Sequence, residues 1–389
     1  MNVLWLAAAP HPAKSGHPVP WMTALAANLV AQEGLAITVV SYNPHIEQDE
    51  EMMRDGVRYI YLKVPGDKWD LLTGYKRRIK RVSDYLRDTV GTNSSGTFDL
   101  LHIHGTEQQY PVMAAGLKLP KVLSAQGFVT EYYRYLPNRP DYRHASWAVA
   151  SYYEKRYAPT VRHYIGRTHW DKAIIHKLHP NAVIHHNWEL MRPVFYQPIA
   201  PPSSQAPNAM LFVGGLHDIK GIREALRALS LLREQWPLRL IVTGFGTKPA
   251  LLELIATLGL TNIPDDAVEH RGMLTGEQLW AAYSDAFCLL HPSYIDNSPN
   301  SVCEAQLAGL PVVASDVGGV SSLVESSQTG MLTSLDPASI ASAVGQLWED
   351  LSLRQLLVKQ ARAISLERFD AQHITHQTRS IYEAVLANP

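Results

Sequence analysis

The chain has 389 residues, 46% hydrophobic and 18% charged, which excludes a disordered or fibrous protein and allows two or three ordinary domains. Thirty-five Lys+Arg against thirty-six Asp+Glu give a formal net charge of -1, which argues against a nucleic-acid partner. The sum hides an asymmetry: residues 1–196 carry 23 basic and 17 acidic side chains, net +6, whereas residues 197–389 carry 12 and 19, net -7. Two cysteines, Cys288 and Cys303, cannot build a disulfide framework and fit a reducing cytoplasm.

The apolar start Val3–Ala9 has no basic residue before it and is short for a signal peptide, so a buried first strand is expected. No run approaches the ~18 apolar residues of a spanning helix, so membrane contact is expected to be peripheral only. Apolar, β-branched runs then recur at Ile37–Tyr42, Val57–Lys63, Leu100–His104, Lys121–Ala125, His163–Gly166 and Val183–His186. Segments of helical spacing lie between them, including Met22–Gln32 and Trp69–Arg87. Nearly continuous apolar strands alternating with helices predict a parallel sheet covered on both faces.

Five prolines between Arg192 and Asn208 break the rhythm and predict a linker. The pattern restarts with strands at Met210–Val213, Leu240–Thr243, Phe287–His291 and Pro311–Ala314. The expected organisation is an α/β protein of two Rossmann-like domains with a cleft between them. A first domain covers residues 1–196 and a Pro-rich linker 197–208. A second domain covers 209–368, and a final helix, 369–389, packs back on the first.

Ligands of open parallel sheets bind beyond the carboxyl ends of the strands. Four turns of the second domain carry suitable residues. After Met210–Val213 come Gly214, Gly215 and Lys220-Gly221, where glycine allows close backbone approach and a lysine can meet phosphate. After Leu240–Thr243 comes Gly244-Phe245-Gly246. The third turn runs from His291 through Asp296, Asn297, Ser298, Pro299, Asn300, Ser301 and Val302 to Glu304. Pro299 suits the first turn of a helix, leaving the amides of Asn300, Ser301 and Val302 for an anion such as a diphosphate. The alternative is an ordinary helix start capped by Asp296 or Ser298. The fourth turn holds Gly318-Gly319.

Together these residues resemble the retaining GT-B glycosyltransferases of family 4: Asp296-x7-Glu304 is followed by Ala305 through Gly309-Leu310-Pro311-Val312-Val313-Ala314. Tyr294 to Ser301 and Ile165 to Asp171 look like a subgroup associated with bacterial surface polysaccharide synthesis. The resemblance implies metal-independent transfer from a nucleotide-sugar to a glycan or lipid-linked glycan, with no cofactor. It implies that Asp296 holds donor-sugar hydroxyls, Glu304 the ribose, and Met273-Leu274 the base. Lys220, with amides around Ser301 and Val302, would stabilise the leaving diphosphate. Gly16 would belong to the glycine loop of the first domain. Three positions depart from the family: Gly215 stands where an arginine is usual, Gln126 where a histidine is usual, and Ser322 where a glutamate is usual. Arg167, at a strand end, is a candidate to compensate the missing cation. A sugar-nucleotide epimerase and a non-catalytic sugar-binding protein remain the alternatives.

His102 and His104 alternate on one strand and fit strand-end histidines better than a metal pair. Tyr75 to Arg87 has Tyr75, Ile79, Val82 and Leu86 on one stripe, surrounded by the five cations from Lys76 to Arg81. It reads either as a helix lying on anionic lipid or as an outer helix packed on its own sheet. A second patch, Tyr132–Tyr157, is rich in Tyr and Arg and reads either as a surface for a lipid-diphosphate-linked acceptor or as a Tyr-rich packing surface.

Overall fold

A computed structural model describes residues 1–11, 20–91, 98–137, 141–203 and 207–389. Gly16 lies outside the described residues. The chain forms two compact units, Met1–Leu190 with Phe369–Pro389, and Met191–Arg368. Residues 191–196, expected in the first domain, fall in the second unit.

The first unit is built on eight strands: β1 (Asn2–Leu6), β2 (Ala36–Asn43), β3 (Glu50–Arg54), β4 (Val57–Lys63), β5 (Leu100–His104), β6 (Lys121–Ser124), β7 (His163–Gly166) and β8 (Val183–His186). Their order is β3-β4-β2-β1-β5-β6-β7-β8. Among the described residues only β3 runs antiparallel, paired to β4. Successive residues of a strand face opposite sides, so the sheet builds two cores. Leu4, Leu6, Val40, Leu101 and Ile103 pack with Val82 and Leu86 of the helix Lys76–Gly91. Val3, Trp5, Val39 and Tyr59 pack with Met22, Ala26 and Leu29 of the helix Pro20–Glu33, and with Ile381, Tyr382 and Val385 of the final helix, Ala371–Ala387. Burial of each such side chain contributes roughly 1.5–3 kcal/mol.

The second unit has six parallel strands: β9 (Ala209–Val213), β10 (Arg239–Thr243), β11 (Val268–His270), β12 (Cys288–His291), β13 (Val312–Ser315) and β14 (Met331–Thr333). Their order is β11-β10-β9-β12-β13-β14. Counted within the unit this is the doubly wound order, which reverses between β9 and β12 and opens a crevice there. Helices Ile222–Leu232 and Pro337–Glu349 cover one face with Leu226, Leu229, Ile340 and Val344.

Four elements differ from the sequence expectation. The strands β3, β11 and β14 were not expected. The helical stretch Trp69–Arg87 is two helices, Asp67–Leu71 and Lys76–Gly91, separated where Gly74 and Tyr75 take positive φ of 66° and 63°. The stripe of the second helix faces the core through Val82 and Leu86, so it is an outer helix of its sheet rather than a lipid-facing one. No helix among the described residues is long and apolar enough to cross a membrane.

Candidate functional site

The switch point of the second sheet brings Lys220 and Asp296 together. Lys220 ends the short turn Asp218–Lys220 after β9, and Asp296 lies in the loop after β12. The two loops are stapled: the Tyr294 amide donates to the Ile219 carbonyl at 2.9 Å, and the Ser293 hydroxyl donates to the same oxygen at 3.1 Å. A side chain at Gly221 would sit 1.8 Å from the Pro292 carbonyl, so only glycine allows this approach. Gly318 does the same on the other side, where a Cβ would meet the Asp296 carbonyl at 2.0 Å and the Gly319 amide donates to that oxygen at 2.9 Å. The resulting carboxylate is buried and fixed. Lys220 Nζ stands 2.6 Å from Asp296 Oδ2, and His291 Nε2 stands 3.2 Å from the same atom. Burial alone would raise the Asp296 carboxyl, but the Lys220 charge and then His291 hold it well below the usual range.

One turn along the helix Asn300–Ala308, Glu304 is buried and gripped by Arg192. Arg192 Nε and Nη2 donate to its two oxygens at 2.7 Å each, a paired, charge-assisted contact. Burial pushes the Glu304 carboxyl up, and Arg192 opposes that shift. The Arg192 guanidinium also lies over the Phe195 ring, 4.7 Å from its centroid. Sequence reading missed Arg192, because the proline-rich stretch around it reads as linker.

Several expected donors are already engaged. Pro299 is the N-cap of the helix and no side chain caps it, so neither Asp296 nor Ser298 plays that part. The Val302 amide donates back to the Pro299 carbonyl at 3.0 Å, which leaves Asn300 and Ser301 as the amides at the open end. Gly214 and Gly215 both donate to the Thr243 carbonyl, at 3.0 and 2.8 Å, and Gly244 donates to Gly272 at 2.8 Å. These three glycines instead allow close packing, since a Cβ on Gly215 would lie 2.3 Å from the Phe245 carbonyl. Asn297 is buried beside Asp296, and Ser298 contacts Cys303. Met273 and Leu274 lie just beyond β11 at the same sheet edge, with Met273 exposed.

In the first unit, Gln126 and Arg167 follow β6 and β7 but serve a buried network. Arg167 pairs with Glu189 and donates to the carbonyls of Ala125 and Gln126. The Gln126 side chain also bonds Glu189. The Arg167 guanidinium is therefore consumed within its own unit and does not supply a spare cation. His102 is likewise satisfied, bonded to the Tyr382 hydroxyl at 2.7 Å and to Ser124 at 2.6 Å. Burial lowers the pKa of both His102 and its neighbour His104, the latter to about 3. Glu107, beyond β5, was not anticipated. Desolvation and then the charge of Glu154 push its carboxyl up to about 7. A Cβ on Gly105 would touch both Glu107 and Gln126, so these two side chains adjoin beyond the ends of β5 and β6.

Two Rossmann-like units in one chain, with the acidic pair of Asp296 and Glu304 at the second sheet's switch point, define a GT-B fold. Residues 207–350 match the model of the family described as Glycosyl transferases group 1. The D-inositol 3-phosphate glycosyltransferase of Salinispora arenicola is 34% identical over 163 residues, covering 39% of this chain and 36% of that protein. The chain thus spans less than half the length of the curated relatives it first matches. Sucrose-phosphate synthase from Thermosynechococcus elongatus shares the fold with a TM-score of 0.78 at 17% identity over the full length of both chains. HepE from Anabaena, crystallised with UDP and glucose, gives 0.71 at 16% identity over 99% of this chain and all of that one.

Proposed function

We propose that the protein transfers a sugar from a nucleotide-sugar to a glycan acceptor, with retention at the anomeric carbon and without a metal. The observation that carries this reading is the ion pair of Lys220 and Asp296 at the switch point, one helical turn from the buried carboxylate of Glu304. Asp296, held ionised, accepts bonds from donor-sugar hydroxyls. Lys220 and the amides of Asn300 and Ser301 meet the diphosphate, Glu304 takes ribose hydroxyls, and Met273-Leu274 lies against the base. The anomeric carbon–oxygen bond to phosphate breaks as the acceptor oxygen bonds the same face. The acceptor proton passes to the departing phosphate oxygen, so no separate base is needed. Fixed amides and a lysine directed at that oxygen stabilise the charge that grows on it.

The acceptor is assigned to the first unit as a glycan or lipid-linked glycan of surface polysaccharide synthesis, met at an anionic membrane face. A relative named D-inositol 3-phosphate glycosyltransferase and a structural neighbour crystallised with UDP and glucose support glycosyl transfer from a nucleotide-sugar. Radiolabelled transfer from a panel of UDP-, GDP- and ADP-sugars to glycan extracts tests the reading. Asp296→Ala and Glu304→Ala are each expected to lower kcat/KM by about 10²-fold or more. Full transfer by both variants would remove the donor-site assignment, and sugar isomerisation without acceptor would replace transfer by epimerisation.

A further inference from the structure

The order of the first sheet reverses between β1 and β5, and ligands of such sheets gather beyond the carboxyl ends of the strands there. The turn that leaves β5, residues 105–109, is pinned at several points. The Gly105 amide donates to the Ser124 carbonyl at 3.0 Å, and the buried Thr106 hydroxyl donates to Glu154. Gln109 holds a left-handed φ of 59°, uncommon for a residue with a side chain, and its side-chain amide donates to the Glu107 carbonyl at 3.1 Å. Strain of this kind persists where the surroundings enforce it, and it gathers at ligand sites. The turn presents the Glu107 carboxyl. Gly105 has φ of 84°, and a Cβ there would lie 2.3 Å from Glu107 Oε2 and 3.2 Å from Gln126 Cγ, so glycine lets the carboxyl fold back over the strand end. The amides of Thr106 and Glu107 bond it there. A carboxylate has about four acceptor positions, so two amides leave others, and Glu107 is only partly buried. Glu154 repels it more strongly than Arg167 attracts it. Glu154 is itself satisfied by Thr106 and by the amides of Val129 and Thr130 at 2.9 Å each, while Arg167 is spent on Glu189 and two carbonyls. Packing therefore gains little from an acid at this position.

We propose that Glu107 accepts a hydrogen bond from a hydroxyl of the sugar that receives the transferred unit, and that it selects a neutral receiving sugar over an acidic one. The assignment rests on the transferase reading above. The ionised carboxylate accepts from a sugar hydroxyl with a charge-assisted bond. The same charge, with Glu154 behind it, repels a carboxylate or phosphate carried on that ring, so selection comes from the disfavoured partner as well as from the favoured one. Any anionic part of the acceptor is met elsewhere on the first unit.

Transfer by the full chain, from the donor that the nucleotide-sugar panel identifies to glycans ending in a neutral sugar or in a uronic acid, tests this. Glu107→Gln is expected to raise the KM for the neutral acceptor about tenfold or more, to change kcat less, and to narrow the preference for neutral over acidic acceptor. Desolvation and then Glu154 push the Glu107 carboxyl up to about 7. The wild-type kcat/KM for acceptor should therefore rise with pH through about 7 and level off above it, and the rise should vanish in the variant. The charged and titratable groups facing Glu107 are Glu154, Arg167 and, through Arg167, Glu189; His104, which precedes the turn, is kept neutral by burial. Thermal unfolding separates this role from support of the turn, since the variant should melt no lower than the wild type. A lowered melting temperature with an unchanged acceptor KM and pH profile overturns the assignment, as does a wild type that prefers the acidic acceptor. Wild-type transfer to no acceptor at all removes the transferase reading and this assignment with it.

Discussion

At the scale of single residues, the second carboxylate of the acidic pair works only if it stays ionised. Glu304 is buried, and burial favours its neutral form. The two 2.7 Å bonds from Arg192 favour the charged one and fix the plane of the carboxylate. On the proposed reading, Arg192 is a positioning residue that acts on the nucleotide through Glu304. Arg192→Gln is expected to weaken a ribonucleoside diphosphate about tenfold, in line with ~1.5–3 kcal/mol for a hydrogen bond to a charged group. The 2′-deoxy analogue should lose much less, since it lacks one of the hydroxyls that Glu304 accepts from. In the variant the carboxyl pKa rises, so the ribonucleotide affinity falls further as pH drops. Calorimetric titration with both nucleotides measures this, and an equal loss for the two would contradict the role. The acidic pair and Lys220 were legible because a motif of fixed spacing carries them. Arg192 was not, because no local signal ties it to a helix more than a hundred residues away. Arg167 misled for the converse reason: a strand-end arginine reads as available until Glu189 is placed beside it.

At the scale of elements, strands buried on both faces were the most legible, because β1, β2 and β4–β7 carry largely apolar runs. Strand β3, with the sequence Glu-Glu-Met-Met-Arg, is half-exposed at a sheet edge and carries no such run. Strands β11 and β14 have three residues each, too few for a periodic pattern. The basic helix shows how sequence fixes a stripe without fixing its partner. Its apolar side meets the sheet, and its cations are largely paired: Arg78 with Asp70 at 3.0 Å, Lys80 with Asp84, Arg81 with Asp49. The preceding helix, Asp67–Leu71, begins a more apolar exposed patch. Trp69 is 74% exposed and Leu72, three residues on, is 79% exposed, with Lys68, Lys76 and Arg77 exposed around them. Residues three apart on a helix share a face. Cosedimentation with phosphatidylglycerol vesicles at low salt is expected for the wild type, with release at high salt. Trp69→Ser with Leu72→Ser should weaken binding about tenfold or more, at ~1.5–3 kcal/mol for each large apolar side chain withdrawn. Binding that ignores lipid charge, or a double variant that binds like the wild type, would count against this patch.

At the scale of the whole chain, the alternating rhythm made two sheets legible, but a helical pattern does not state which sheet it covers. The final helix, Ala371–Ala387, closes the first unit with Ile381, Tyr382 and Val385 against Trp5 and Val39. Tyr382 donates to or accepts from His102 at 2.7 Å, and Asn187 reaches the Ile374 carbonyl at 3.1 Å and the Thr378 hydroxyl at 2.9 Å. Counting charges by these units gives 23 basic and 19 acidic side chains in the first, net +4, and 12 and 17 in the second, net -5. The basic bias thus stays with the unit proposed to meet an anionic acceptor. Ending the chain at Arg368 would strip one face of the first sheet while leaving the second unit intact. Each large core side chain lost costs roughly 2–5 kcal/mol, so losing three is comparable to the ~5–15 kcal/mol that stabilises a whole domain. Limited proteolysis of the 1–368 chain is expected to digest residues 1–190 and to leave a protected fragment spanning the second unit. Nucleotide binding should persist in that fragment, because Lys220, Asp296, Glu304 and Arg192 all lie within it. Protection of residues 1–190 equal to that of the full chain would show that the first sheet holds its core without the returning helix.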